Sequence, residues 1–147
     1  MEKWKSRAID KLRDYGLQKT ALASIPHEVK RLEIESVSIR SATVDGSPVK
    51  GGGNGREERM LWNIMQRDDL MRNQRMAEEY IAFVESGLAV LSSEEKLAIE
   101  RMYIYPERDA VERLRNEWGL EDKRSVYKRI DKAIYKLTVA MYGMESS

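Results

Sequence analysis

The sequence predicts an all-α protein: an N-terminal helical hairpin containing one long coiled-coil-like helix, followed by a C-terminal unit of three shorter helices. Three observations carry this. Apolar residues recur at three- and four-residue intervals through most of the 147-residue chain, the spacing of one helix face. A glycine-rich stretch at 41–55 separates two such regions, and stop and start signals punctuate everything after residue 91. The predicted division is therefore 1–91 for the hairpin and 92–147 for the C-terminal domain.

Taken in order, Trp4, Ala8, Leu12 and Tyr15 form a first helical stripe, and Leu22, Ile25, Val29 and Leu32 a second. Pro26 lacks a backbone donor and its ring clashes with the preceding turn, so it belongs in a first turn. The sequence thus predicts a break near Ser24, with Ser24 as N-cap of a second helix. Residues 41–55 hold five of the nine glycines and one of the three prolines, too much backbone freedom to fix without partners, and read as a linker. A phosphate-binding loop would need Lys-Ser/Thr after the last glycine and a strand before the first; here Arg56-Glu57 follows Gly55 and helix precedes it.

Residues 56–91 form the longest helical pattern, free of proline and with Gly87 as its glycine past the linker. Ala77, Ile81, Val84, Leu88 and Leu91 step by four, three, four, three, the spacing of a coiled-coil seam, and Leu61, Ile64 and Met71 extend the stripe upstream less regularly around Asp68. Such a helix needs a partner, either the helix at about 25–38 across the glycine loop or a second copy of itself. Met60, Met65, Met71 and Met76 read as core or interface residues. Ser92-Ser93-Glu94-Glu95 is a capping box that starts a helix at about 93, which must stop before Pro106. Asp109 to Trp118 is a short helix with Val111, Leu114 and Trp118 inward, ended by Gly119. Asp122 caps the last helix, whose stripe is Val126, Ile130, Ala133, Leu137 and Met141, up to Gly143.

Composition excludes several function classes. With 41% hydrophobic and 35% charged residues the chain suits one small domain or two very small ones. The absence of cysteine removes disulfides, thiolate metal sites and cysteine nucleophiles, and the lone His27, expected at the surface of a first turn, cannot form a histidine cluster. No cofactor and no metal site is predicted. The acidic pairs Asp68-Asp69 and Glu94-Glu95 point about 100° apart on a helix and read as solvated faces, so no catalytic residue is assigned and no enzyme is expected. No apolar run is long enough to span a bilayer, and Met-Glu-Lys-Trp-Lys leads into a charged amphipathic stretch, so a cytoplasmic protein without membrane association is expected.

The net charge of +1 conceals an asymmetry. Residues 123–147 hold six Lys and Arg against Asp131 and Glu145, a local +4, which leaves −3 on the other 122 residues. A basic end on a near-neutral chain suits an anionic partner such as nucleic acid, although a solvated helix face gives the same count. The segment 109–137 sharpens this: a short helix, a glycine turn and a basic amphipathic helix form the arrangement of a helix-turn-helix. With Val126, Ile130, Ala133 and Leu137 inward, the opposite face shows Arg124, Lys128, Lys132 and Tyr135, flanked by Ser125, Tyr127 and Arg129. In a recognition helix, such residues reach base edges in the major groove and the flanking ones meet phosphates. Arg115 stands where a small residue is usual at the helix crossing, and the turn is one residue longer than common, so an open turn is expected. A plain three-helix bundle with a basic last helix is the alternative.

Residues 91–142, from Leu-Ser-Ser-Glu-Glu-Lys through Arg-Met-Tyr-Ile-Tyr to Ser-Val-Tyr-Lys-Arg-Ile-Asp-Lys-Ala-Ile-Tyr-Lys-Leu, resemble region 4 of sigma-70-type factors. They are more closely similar to the ArpU and RinA type late-gene transcriptional regulators of phages and prophages. The stretch from Arg40-Ser41-Ala42 through Val49-Lys50-Gly51-Gly52, the long helix after it and the closing Ala140-Met141-Tyr142-Gly143 extend the likeness over most of the chain. The resemblance implies a sigma region 4-like helix-turn-helix that binds double-stranded promoter DNA in a bacterial host, with RNA polymerase as a further partner. The DNA-reading residues it implies are Lys123, Arg124, Ser125, Tyr127, Lys128 and Arg129, with Lys132 on backbone phosphate. One such motif covers a half-site, so a homodimer through the long helices or attachment to polymerase is expected to strengthen binding. Two other readings stand beside it: a small terminase subunit that forms a ring on packaging-site DNA, and a helical protein-interaction module in which the basic helix is inert.

Overall fold

The computed structural model describes residues 2–41 and 52–143. Five α-helices account for most of them: α1 (Lys3–Ser41), α2 (Gly52–Leu88), α3 (Ser93–Ile99), α4 (Ala110–Trp118) and α5 (Lys123–Tyr142). A π-helical turn, Glu100–Ile104, continues α3. No strand occurs among the described residues, so the protein is all-α. None of these helices is long and apolar enough to cross a membrane.

The chain divides into two compact units, and α1 and α2 contribute to both. The first comprises Met1–Lys19 with Glu79–Ser147, the second Thr20–Glu78. This division differs from a boundary between 91 and 92, because the first turns of α1 and the end of α2 belong with the three short helices. Ala8, Ile9, Leu12 and Tyr15 of α1, Val84 of α2 and the stripe of α5 are all buried there. Two glycines mark where backbones approach closely. A Cβ on Gly16 would stand 2.6 Å from the carbonyl oxygen of Ile104, and one on Gly87 would stand 2.5 Å from Met141 Cγ and 2.8 Å from Leu137 Cδ1. Gly87 is thus tolerated inside a helix because α5 occupies the space a side chain would need.

The predicted break at Ser24 does not occur: α1 runs unbroken for 39 residues through Pro26. Pro26 leaves Leu22 without an amide donor, and the helix continues because Ile25 and Leu32, on either side, are buried on one face while Pro26 is exposed. Ser24 caps nothing; its hydroxyl donates back to the Ala21 carbonyl at 3.2 Å. The glycine-rich linker predicted at 41–55 is narrower than expected, since Ser41 is the last residue of α1 and α2 begins at Gly52. Residues 42–51 of it lie outside the described residues.

In the second unit the upstream stripe is also corrected. Leu61, Ile64 and Met71 are exposed, whereas Asn63 is fully buried. The 4-3 spacing that passes through Ala77 continues upstream through Gln74, Leu70, Arg67 and Asn63, and it is this row that turns inward. Asn63 donates to the Leu32 carbonyl at 2.8 Å and accepts from Arg67 Nε at 2.8 Å, so its amide is satisfied where it is buried. Met65, Met71 and Met76 are exposed rather than core residues.

The later punctuation is as expected. Ser92 accepts from the Glu95 amide and Glu95 from the Ser92 amide, a reciprocal capping box that starts α3. Helical structure ends before Pro106, with Ala98 and Ile99 buried on α3 and Leu97 exposed.

Candidate nucleic-acid interface

The basic segment lies wholly within the first unit, where α4, a turn and α5 follow one another. Gly119 adopts a left-handed conformation, φ 65°. Its amide donates to Asn116 and the Leu120 amide to Arg115, which satisfies the last carbonyls of α4 in a Schellman arrangement. Asp122 then accepts from the Ser125 amide at 2.9 Å and opens α5. Those hydrogen bonds, chiefly from the Ser125 backbone, hold the Asp122 carboxyl below its usual range.

Arg115 lies over this turn: its guanidinium bonds Glu112 and reaches the Glu121 carbonyl at 3.4 Å. Glu112 also accepts Lys123 at 3.4 Å, so one carboxylate joins α4 to the first residue of α5. The bond from Arg115 is the main reason its acid is held below the ordinary range. Beside the same turn, Arg101 of the π turn grips both oxygens of Glu117 near the end of α4 at 2.9 Å.

Burial of Val126, Ile130, Ala133, Leu137 and Met141 fixes the rotation of α5, and Ile134 and Thr138 widen its buried stripe. The opposite side is solvent-facing. Of the seven predicted site residues, Arg124, Lys128 and Lys132 are exposed at four-residue spacing and make no ion pair among the described residues. Tyr127 is also exposed. The other three are engaged locally. Lys123 meets Glu112, the Ser125 hydroxyl donates to Asp122 at 3.0 Å, and the Arg129 guanidinium lies 5.2 Å from the centre of the Trp118 ring. Trp118 and Arg129 also line a 230 Å³ recess with Ala98, Ile130 and Ala133, on whose rim Lys132 stands.

Sequence reasoning missed the contribution of α1. Lys5 Nζ approaches Asp131 Oδ1 to 2.6 Å, a close ion contact without hydrogen-bond alignment, and Trp4 meets Tyr135 edge to face at 5.7 Å. Lys5 therefore offsets the carboxylate that interrupts the basic face of α5. Nothing in the sequence links residues 126 positions apart, because helical periodicity tells which face is buried and not what covers it. Lys136 was equally out of reach: it bonds Glu95, the capping residue of α3, at 3.1 Å.

Among the described residues no group of three or more His, Asp or Glu is placed to hold a metal ion. No family model matches the chain, and no significant match was found among curated proteins or solved structures.

Proposed function

We propose that this protein is a non-enzymatic, DNA-binding transcriptional regulator whose α4, turn and α5 act as a helix-turn-helix, with α5 entering the major groove. The observation that carries the reading is the exposed row Arg124, Lys128 and Lys132, unpaired among the described residues, on a helix whose other face is locked into a core. Unpaired cations at i, i+4 and i+8 on a rigid helix match the requirement for phosphate neutralisation and guanine contacts without a prior ion pair to break. The Asp131 charge offset by Lys5 strengthens the case, since a bare carboxylate there would repel phosphate. The resemblance of residues 91–142 to region 4 of sigma factors and to phage late-gene regulators supports promoter DNA in a bacterial host as the target. RNA polymerase is the further partner this reading names.

The test is binding of the purified chain to random-sequence duplex DNA at two salt concentrations, with the Arg124→Ala/Lys128→Ala variant alongside. Affinity should fall steeply with salt, and the variant should lose about two from the slope of log affinity against log salt. Undiminished affinity in the variant would remove α5 from the interface, and absence of binding at low salt would remove DNA as the ligand.

A further inference from the structure

We infer that the outward face of α2 in the second unit is a self-association surface, on which a second copy of this chain packs antiparallel about a two-fold axis near Met65. Leu61, Trp62, Met71 and Met76 are 59%, 61%, 47% and 63% exposed, and Met65 lies with them at 49%. Leu61, Met65 and Met76 share one face over about four turns, and Trp62 and Met71 lie on its two opposite flanks, so apolar surface is left facing outward. Among the described residues its own chain does not supply a partner for it, because the inward row of α2 is the one through Asn63 and Ala77, already engaged or buried.

The charges on the same face select the occupant. At 3.6 residues per turn, Glu57, Glu58, Leu61, Met65, Arg72 and Arg75 fall within an arc of about 100° opposite Asn63 and Ala77. All four charged residues are exposed. The acidic pair and the basic pair stand about eight residues, roughly 12 Å, to either side of the Met65–Gln66 step. An antiparallel copy thus sets Glu57 and Glu58 against the partner's Arg72 and Arg75 twice over, and brings the Leu61 and Met65 side chains together at the centre. A parallel copy would stack like on like. Asp68 also lies inside the arc, one turn from Arg72, which bonds Asp69 of the same helix at 3.1 Å. Charges at every turn rule against a lipid surface, and the acidic end against nucleic acid. The pattern is self-complementary, which is the condition for a closed isologous dimer. This inference stands on different residues from those proposed to bind DNA and holds whether or not they do.

Sedimentation equilibrium of the full chain tests it. A dimer is expected, and Leu61→Glu/Met65→Glu should weaken self-association by at least about tenfold. Helicity should not change, since both side chains are exposed. Glu57→Arg/Glu58→Arg alone and Arg72→Glu/Arg75→Glu alone should each weaken the dimer by about threefold or more, and all four changes in one chain should restore it. A monomer at about 100 μM, well above a micromolar dissociation constant, a dimer indifferent to the Leu61/Met65 change, a failure of the fourfold swap to restore, or an assembly larger than a dimer would each overturn the proposal.

Discussion

Two stretches of α2 share one helix and one 4-3 spacing yet turn opposite chemistry inward. From Ala77 to Leu88 the inward row is apolar and buried or half-buried, and it belongs mainly to the first unit. From Asn63 to Gln74, in the second unit, the row is mostly polar, and the large apolar side chains face out. The contrast teaches that spacing fixes the rotation of a long helix, while composition decides what each face can do. Where the buried row is apolar the helix is held by its own chain; where it is polar, hydrophobic surface is left over for something else.

Single substitutions can break this contrast. The largest effect is expected from Val84→Asp, which buries an unpaired carboxylate at a fully enclosed position and should cost about 3 kcal/mol or more, enough to unfold the first unit. Met71→Asp, on the outward side, should change the stability of the monomer, at concentrations too low for self-association, by no more than about 0.5 kcal/mol. Urea titrations of the two variants compare them directly. A similar cost for both would mean that Met71 is buried by its own chain.

Glycines give a second, smaller contrast. Gly16→Ala drives a methyl against the Ile104 carbonyl oxygen, a backbone atom that cannot swing away, and should destabilise by about 1–3 kcal/mol. Gly55→Ala, in the second unit, meets nothing within 4 Å and should stabilise α2 by about 0.5–1 kcal/mol. Thermal melts with opposite signs of shift are expected.

Asn63→Ala sharpens the account of the polar row. It removes the bond to Leu32 and leaves Arg67 without its acceptor, for a loss of about 1–2 kcal/mol. A neutral result would mean that the buried amide holds nothing.

The smallest effect is on pH. Glu95 is held below its usual range, first by the Ser92 amide and then by Lys136. A carboxyl whose folded pKa is depressed stabilises above its unfolded value and loses that contribution as pH falls through the folded one. Stability of the first unit should therefore decline below about pH 4, and Glu95→Gln, which removes the titrating group and keeps an oxygen to accept from the Ser92 amide, should flatten that decline. An unchanged acid profile in Glu95→Gln would detach the decline from Glu95.

Local rules made much of this legible. The capping box at Ser92, the Gly119 stop, the Asp122 cap and the stripe of α5 are each written within a few residues, so the position and rotation of the candidate interface could be read from the chain. Three features lie beyond such rules. Pro26 sits in a helix because packing on either side outweighs a local cost. The row through Asn63 is invisible to any search for apolar periodicity, since its defining residue is an amide whose partner is 31 residues away. The approach of Lys5 to Asp131 joins the two ends of the chain, and only folding brings them together.

The most direct test of the central claim compares the two regions in a single experiment: amide chemical-shift changes as random duplex DNA is titrated into labelled protein at low salt. The account predicts changes concentrated at 123–132, strongest around Arg124 and Lys128, with the outward face at 57–76 unaffected. Changes centred on 57–76 with α5 silent would contradict it.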